Sequence, residues 1–349
     1  MFFIASNIFA QSGRNKPAET PTPAPIPPRS GVVYIPKEKT STALKPAPTV
    51  TPKPKDNEED DGEIISVESN LVPIPVSVLD VQGRAVTDLK LTDFELAIDG
   101  QRAEISEISR SETPVRLALL FDNSSSVTTA REFERKAAVR FFKRVIRPEK
   151  DLAALYSVST GTRLEQPLTK NVSQLVQSIE NFPQPAGATA LLDAIIKAAE
   201  YLQSADGRRV IVIVSDGEDT ISDATLEETV RAVQANNCQV YVVKTKDFEN
   251  FKQTGQRGGN ANIRILAAER RMQELALQTG GAVYSPIDEK ELDQAFNQIS
   301  AELSQAYVLS YYPENESEKR GEFRTISLKV KSHANLTVRT RKGYYVPRR

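Results

Sequence analysis

Between Val115 and about Leu303 the chain reads as an α/β unit: a doubly wound, mostly parallel sheet with helices on both faces. Two observations predict it. Short apolar runs recur at 117–121, 152–158, 210–214 and 240–243, and stretches with helical periodicity lie between them. A third observation sets its limits, because on either side the apolar period falls to two, which predicts a discontinuous antiparallel β domain flanking the unit. The expected organisation is a leader at 1–15, a linker at 16–63, an N-terminal β segment at 64–112, the α/β unit at 113–304, and a C-terminal β segment at 305–349 that packs with 64–112.

In chain order, Met1 to Ala10 is apolar, too short to span a bilayer, and lacks the positive residues of a complete secretory leader. It reads as the end of a signal peptide, with small Ala10 before Gln11-Ser12-Gly13 suiting a cleavage site. Proline, threonine, alanine and lysine dominate 16–55, which cannot bury enough apolar surface to offset ordering and is expected to be an extended tether. The acidic run 57–63 closes that tether as a solvated linker.

From Val72 the pattern alternates, with Val72, Ile74, Val76 and Val78 on one face. Pro73 and Pro75 cannot donate to a ladder, so this strand is expected at a sheet edge or end. Phe94, Leu96 and Ile98 alternate again, and Asp99-Gly100 signals a hairpin. Phe133, Ala137, Phe141 and Val145 mark a helix within 129–146, and Leu191, Ile195, Ala199 and Leu202 mark a second. The polar, glycine-rich stretch 247–262 reads as an inserted loop and fits neither a phosphate-loop nor a dinucleotide pattern. After a helix near 289–303, strands are expected at 307–312, 323–330 and 336–340.

Composition narrows the chemistry. The 349 residues carry a net charge of -1, so no whole-molecule field favours nucleic acid or an anionic membrane. Cys238 is the only cysteine, which excludes an internal disulfide and a thiolate zinc site and reads as a small core residue. His333 is the only histidine and sits in a turn-like Lys-Ser-His-Ala-Asn, leaving charge-relay hydrolysis and histidine-bound zinc without support.

Three fragments carry the functional signal. Asp122-Asn-Ser124-Ser-Ser126 follows the first apolar run; Gly187-Ala-Thr189 enters a helix; Val214-Ser-Asp216-Gly-Glu-Asp219 follows a later run. Ligands of open α/β sheets collect at the carboxyl ends of strands, where all three fragments can meet. Taken alone, the first fragment is equally a polar loop whose serines cap a helix. Taken together, two carboxylates and three hydroxyls form an all-oxygen set for a hard divalent cation, and so few carboxylates leave the cation able to attract an outside anion.

This set resembles the metal-ion-dependent adhesion site of von Willebrand factor type A domains, Asp-x-Ser-x-Ser with a distant Thr and a later Asp. The resemblance implies metal contacts from Asp122, Ser124, Ser126, Thr189 and Asp216 to Mg²⁺ (or Mn²⁺ or Ca²⁺), the serines directly and the others directly or through water. Asp193 and Asp219 stand either behind these ligands or in local roles, as an exposed helix residue and a cap for the next helix. The flanking Leu-Thr-Asp-Phe-Glu-Leu-Ala-Ile-Asp-Gly and Arg-Lys-Gly-Tyr-Tyr-Val are similar to bacterial exported "VWFA-related" proteins. The implied function is a non-enzymatic, exported (periplasmic, cell-surface or secreted) module that binds an acidic residue of a protein ligand through the cation, with no catalytic residue, nucleic-acid partner or membrane span. The alternatives are a structural or assembly component, a cytoplasmic partner of an ATPase, and an Mg²⁺-dependent phosphohydrolase with Asp122 as nucleophile. The last lacks a second acid two positions on, where Ser124 stands.

Overall fold

The computed structural model describes residues 71–346 apart from 111–112, 129–130, 257–262, 305, 314–319 and 332–334. The expected leader and linker, and His333, lie outside the described residues. The elements are β1 (Val72–Leu79), β2 (Phe94–Ile98), β3 (Gln101–Ala103), β4 (Glu107–Arg110), β5 (Val115–Asp122), α1 (Arg131–Val145), β6 (Leu152–Val158), β7 (Thr162–Thr169), α2 (Val172–Glu180), α3 (Leu191–Leu202), β8 (Arg208–Ser215) and α4 (Leu226–Ala235). They continue with β9 (Cys238–Lys244), α5 (Lys246–Thr254), α6 (Ile263–Thr279), β10 (Val283–Tyr284), α7 (Glu289–Ser304), β11 (Tyr307–Tyr311), β12 (Phe323–Val330), β13 (Thr337–Arg339) and β14 (Gly343–Tyr345).

The α/β unit is built on a sheet of order β10-β9-β8-β5-β6-β7, parallel throughout except for β7. Strand β5 shows why the sheet is covered on both faces. Leu117, Leu119 and Phe121 pack on one side with α1, α2 and α7, while Ala118 and Leu120 pack on the other with α3, α4 and α6. Each fully buried Leu contributes about 1.5–3 kcal/mol, so the continuous apolar run is what fixes β5 at the centre of the sheet. Helix α4 starts where Thr225 and Glu228 cap each other's backbone amides, and α2 starts where Asn171 accepts from Ser173 and Gln174. Among the described residues no helix is long and apolar enough to cross a membrane.

Strands from before and after the α/β unit share two antiparallel sheets, β13-β1-β11-β4 and β14-β12-β2-β3, around a common core that includes Ile74, Leu96, Tyr307 and Ile326. Asp99 and Gly100 both take positive φ, 50° and 78°, and turn β2 into β3.

Two expectations are corrected. Strand β1 is not at an edge but lies between β11 and β13. The prolines are tolerated because β13 pairs only with Ser77 to Leu79, leaving one flank of Pro73 and Pro75 without a strand. On that flank Arg341 Nη2 donates to the Pro73 carbonyl and Thr340 Oγ1 to the Pro75 carbonyl, both at 3.0 Å. The stretch 247–262 is not wholly a loop either. Its first part forms α5, ended by Gly255 at φ 71°, and Phe248 stacks on Phe133 of α1 with ring centroids 3.6 Å apart. The glycines after residue 254 dominated the composition and hid an aromatic anchor before them.

Candidate functional site

Strand β5 ends at Asp122, and the chain then turns through Asn123 and Ser124 into a short 3-10 turn at Ser125–Val127. Backbone bonds fix this turn from two sides. The Asn123 amide donates to Val158 of β6 at 2.7 Å, and the Ser125 amide donates to the Gly187 carbonyl at 3.0 Å. The Ala186 amide returns a bond to the Asn123 carbonyl at 3.0 Å, so the segment bearing Thr189 is laced to the end of β5. Gly187 makes this approach with φ 82°, and a Cβ there would collide with Thr160 Oγ1.

Thr189 is held from the other direction by the loop after β8. Its amide donates to Thr220 Oγ1 at 3.0 Å, and its carbonyl accepts the Thr220 amide at 2.9 Å. Its hydroxyl is left without a hydrogen bond among the described residues. Asp219 and Asp193 serve this scaffold. Asp219 Oδ1 accepts the Leu191 and Leu192 amides and caps the preceding helix α3, not the next one. The Asp193 carboxylate accepts the Asp223 and Ala224 amides and braces the loop before α4.

The two predicted carboxylates meet in dry surroundings. Asp122 and Asp216 are 1% and 3% exposed. Asp122 Oδ1 accepts the Ser124 amide at 2.9 Å and Oδ2 accepts the Ser215 hydroxyl at 2.6 Å. Asp216 Oδ1 accepts the Glu218 amide at 3.0 Å, while its buried Oδ2 has no partner. Burial first, and then the neighbouring Asp216 charge, push the Asp122 carboxyl up to about 6. The Ser124 and Ser126 hydroxyl oxygens lie 2.9 Å apart, Ser124 buried and Ser126 exposed, so the set opens to solvent on the serine side.

Sequence reasoning missed the groups behind this front. Glu134 of α1 is fully buried, accepts from Thr245 Oγ1 and leaves Oε2 without a partner. Burial, reinforced by Asp122, raises its pKa well above the carboxylate range. Its signal was an acid on the apolar stripe shared by Ala137, Ala138 and Phe141. Ser215, which bridges Asp122 and the Gly217 amide, stood within the third fragment but carried no role of its own there. On the positive side, Arg131 of α1 lies over the Phe121 and Phe182 rings and Lys246 of α5 pairs with Glu249, and both feel the site's carboxylates.

The donor chemistry fits a hard divalent cation: all five predicted groups offer oxygen, hydroxyls outnumber carboxylates, and a buried carboxylate oxygen lacks a partner. Among the described residues no group of three His, Cys, Asp or Glu side chains forms an acid-rich metal cage.

A family model for the von Willebrand factor type A domain matches residues 117–298, just over half of the chain. No curated protein matches the chain in sequence. Several solved structures are similar. The PilB minor pilin from Streptococcus sanguinis is 15% identical with a TM-score of 0.42, over 55% of this chain and 62% of that one. This chain therefore spans less than two thirds of the pilin's length. BatB, a conserved hypothetical protein from Bacteroides thetaiotaomicron, is 19% identical with a TM-score of 0.43, over 54% of this chain and 97% of that one. The SpRpn10 VWA domain is 16% identical with a TM-score of 0.38, over 52% of this chain and 94% of that one. With residues 117–298 matching its model and with this sheet order, the chain belongs to the von Willebrand factor type A domain family.

Proposed function

We propose that Asp122, Ser124, Ser126, Thr189 and Asp216 hold a divalent cation, Mg²⁺ or in its place Mn²⁺ or Ca²⁺, and that the cation joins the protein to an acidic residue of a protein ligand. The observation that carries this reading is the unpartnered Asp216 Oδ2 beside the equally buried Asp122 carboxylate. Two like charges in dry surroundings repel, and a cation offsets both. The Thr189 hydroxyl, without a hydrogen bond among the described residues, and the paired Ser124 and Ser126 oxygens belong to the same oxygen set, of which Ser126 is exposed to solvent. A bound cation would supply a Lewis-acidic position for an outside carboxylate.

The arrangement favours binding over catalysis. Both Asp122 oxygens are engaged, by the Ser124 amide and the Ser215 hydroxyl, which suits a fixed ligand rather than an attacking nucleophile. We further place the protein outside the cytoplasm on the apolar Met1 to Ala10 and the proline-rich stretch behind it; mass spectrometry of the native N-terminus tests this, since a mature chain starting near Gln11 requires export.

Isothermal titration of the whole chain with Mg²⁺, Mn²⁺ and Ca²⁺ tests the cation step. Saturable binding that Asp122→Ala abolishes is expected, and its absence with all three ions overturns the reading. A pull-down with and without chelator then tests the ligand step, with partners expected to elute on chelation.

A further inference from the structure

At the opposite end of the parallel sheet, where β8 and β9 begin, the α/β unit meets β1 and the segment 341–345 around a cavity of about 460 Å³. Its size is that of a small-molecule site. Arg208, Arg209 and Arg341 line it, and among the described residues no acidic residue does.

Two of these arginines are buried charges without a counter-charge among the described residues. Arg208 and Arg341 are 7% and 8% exposed. Every acceptor they have is neutral. Arg208 Nε donates to Gln239 Oε1 at 2.6 Å and Nη1 to the Glu302 carbonyl at 2.9 Å, while Nη2 has no partner. Arg341 donates to Asn237 Oδ1 and, at 3.0 Å, to the Pro73 carbonyl, while Nε has no partner. Arg209, the third, also donates only to carbonyls, those of Ala205 and Asn236. Among the described residues no carboxylate lies within salt-bridge distance of any of the three; the nearby Glu302 carboxylate is taken by Arg339. A guanidinium does not shed its proton to escape burial, and an unpaired buried charge is costly. Burial drives the Arg341 pKa down to about 10.

The rest of the wall is largely apolar, including Val72, Pro75, Val308 and Tyr344. Planar guanidinium forks match oxyanions in two-point contacts, and apolar walls match a hydrocarbon body. We propose that this cavity binds an organic oxyanion, a carboxylate or phosphate carried on a short apolar body, with Arg208 and Arg341 supplying its counter-charge. The site is independent of the cation reading, since it uses none of those residues.

The test titrates the whole chain with hexanoate and hexyl phosphate at constant ionic strength in EDTA, so that no carboxylate can bind through a cation. Hexanol, hexylammonium, acetate and inorganic phosphate are the comparison ligands. Saturable binding of at least one hexyl anion is expected by calorimetry, with acetate or inorganic phosphate at least about tenfold weaker for lack of the hydrocarbon. Hexanol and hexylammonium are expected not to compete. Which of the two hexyl anions binds more tightly assigns the headgroup.

Arg208→Lys and Arg341→Lys keep a charge but lose the fork, and each is expected to weaken binding about tenfold or more. Val308→Phe fills the cavity without touching an arginine and is expected to abolish binding. Circular dichroism checks that each variant is folded. The proposal is overturned if neither hexyl anion binds the unaltered chain, if hexanol binds as well as hexanoate, or if folded Val308→Phe binds unchanged.

Discussion

The Ser215 hydroxyl at the end of β8 donates to Asp122 Oδ2 at the end of β5 across 2.6 Å, and Ser215 Oγ in turn accepts the Gly217 amide at 2.9 Å. One hydroxyl thus ties two neighbouring parallel strands together where the loops of the candidate site begin. Ser215→Ala leaves a buried acceptor and a buried amide without partners, a loss of about 1–3 kcal/mol. Urea unfolding in EDTA is expected to show a loss of that size. Calorimetry is expected to show weaker Mg²⁺ binding, because Asp122 loses the contact that orients it. An unchanged unfolding midpoint would mean that the contact is idle.

Glu134 gives the metal-free protein a pH dependence of predictable sign. Its folded pKa is raised by burial and by Asp122, well above the roughly 4.3 of an unfolded chain. The folded state therefore holds a proton that the unfolded state has released. Its stabilising contribution is complete below about pH 4.3 and is lost as pH rises through the folded pKa. Asp122, raised to about 6, acts in the same direction. In EDTA, stability should fall as pH rises from about 4.3 towards neutrality, and Glu134→Gln should fall less steeply. A variant slope as steep as the parent's would remove Glu134 from this account.

Gly187 stands at φ 82° between the end of β5 and Thr189. An alanine there is strained by the backbone and brings its Cβ against Thr160 Oγ1. Gly187→Ala should cost about 1 kcal/mol or more in unfolding free energy. It should also lower cation affinity, since the Ser125 to Gly187 bond must shift. Adding Thr160→Ala removes the clash but not the strain, so the double variant should recover only part of the loss.

The proposed ligand set could be named from the sequence because its chemistry asks for particular residue types at the ends of recognisable strands. Asp122 and Asp216 each follow an apolar run, and Thr189 precedes a strongly periodic helix. What supports them was not legible, because it depends on contacts between distant segments. Glu134 meets Thr245 across 111 positions, and nothing local marks that pairing. The prolines of β1 argued for an edge, yet an interior strand holds them because β13 pairs only with Ser77 to Leu79 and so asks no backbone donor of Pro73 or Pro75.

Phe248 is the clearest case of tertiary contact deciding local structure. Its segment is polar on average, but the ring stacks on Phe133 with planes 8° apart. That contact gives α5 its hold on α1. Phe248→Ala should cost about 2 kcal/mol, less than the roughly 3–5 of a fully buried phenylalanine, because the ring is only half-buried. Hydrogen exchange should rise first in α5, whereas exchange confined to α1 would contradict this picture.

The join between the β sheets and the α/β unit rests on Glu302 of α7. Its carboxylate is fully buried and accepts from Arg339 of β13, from Tyr241 at 3.1 Å and from Tyr284 at 2.9 Å. Removing Arg339 alone strands a buried negative charge, whereas removing both charges does not. Arg339→Met should therefore cost about 3–5 kcal/mol, and adding Glu302→Gln should restore much of it, as urea unfolding of the two variants would show. A double variant as unstable as Arg339→Met would assign the loss to packing of the arginine stem rather than to its charge.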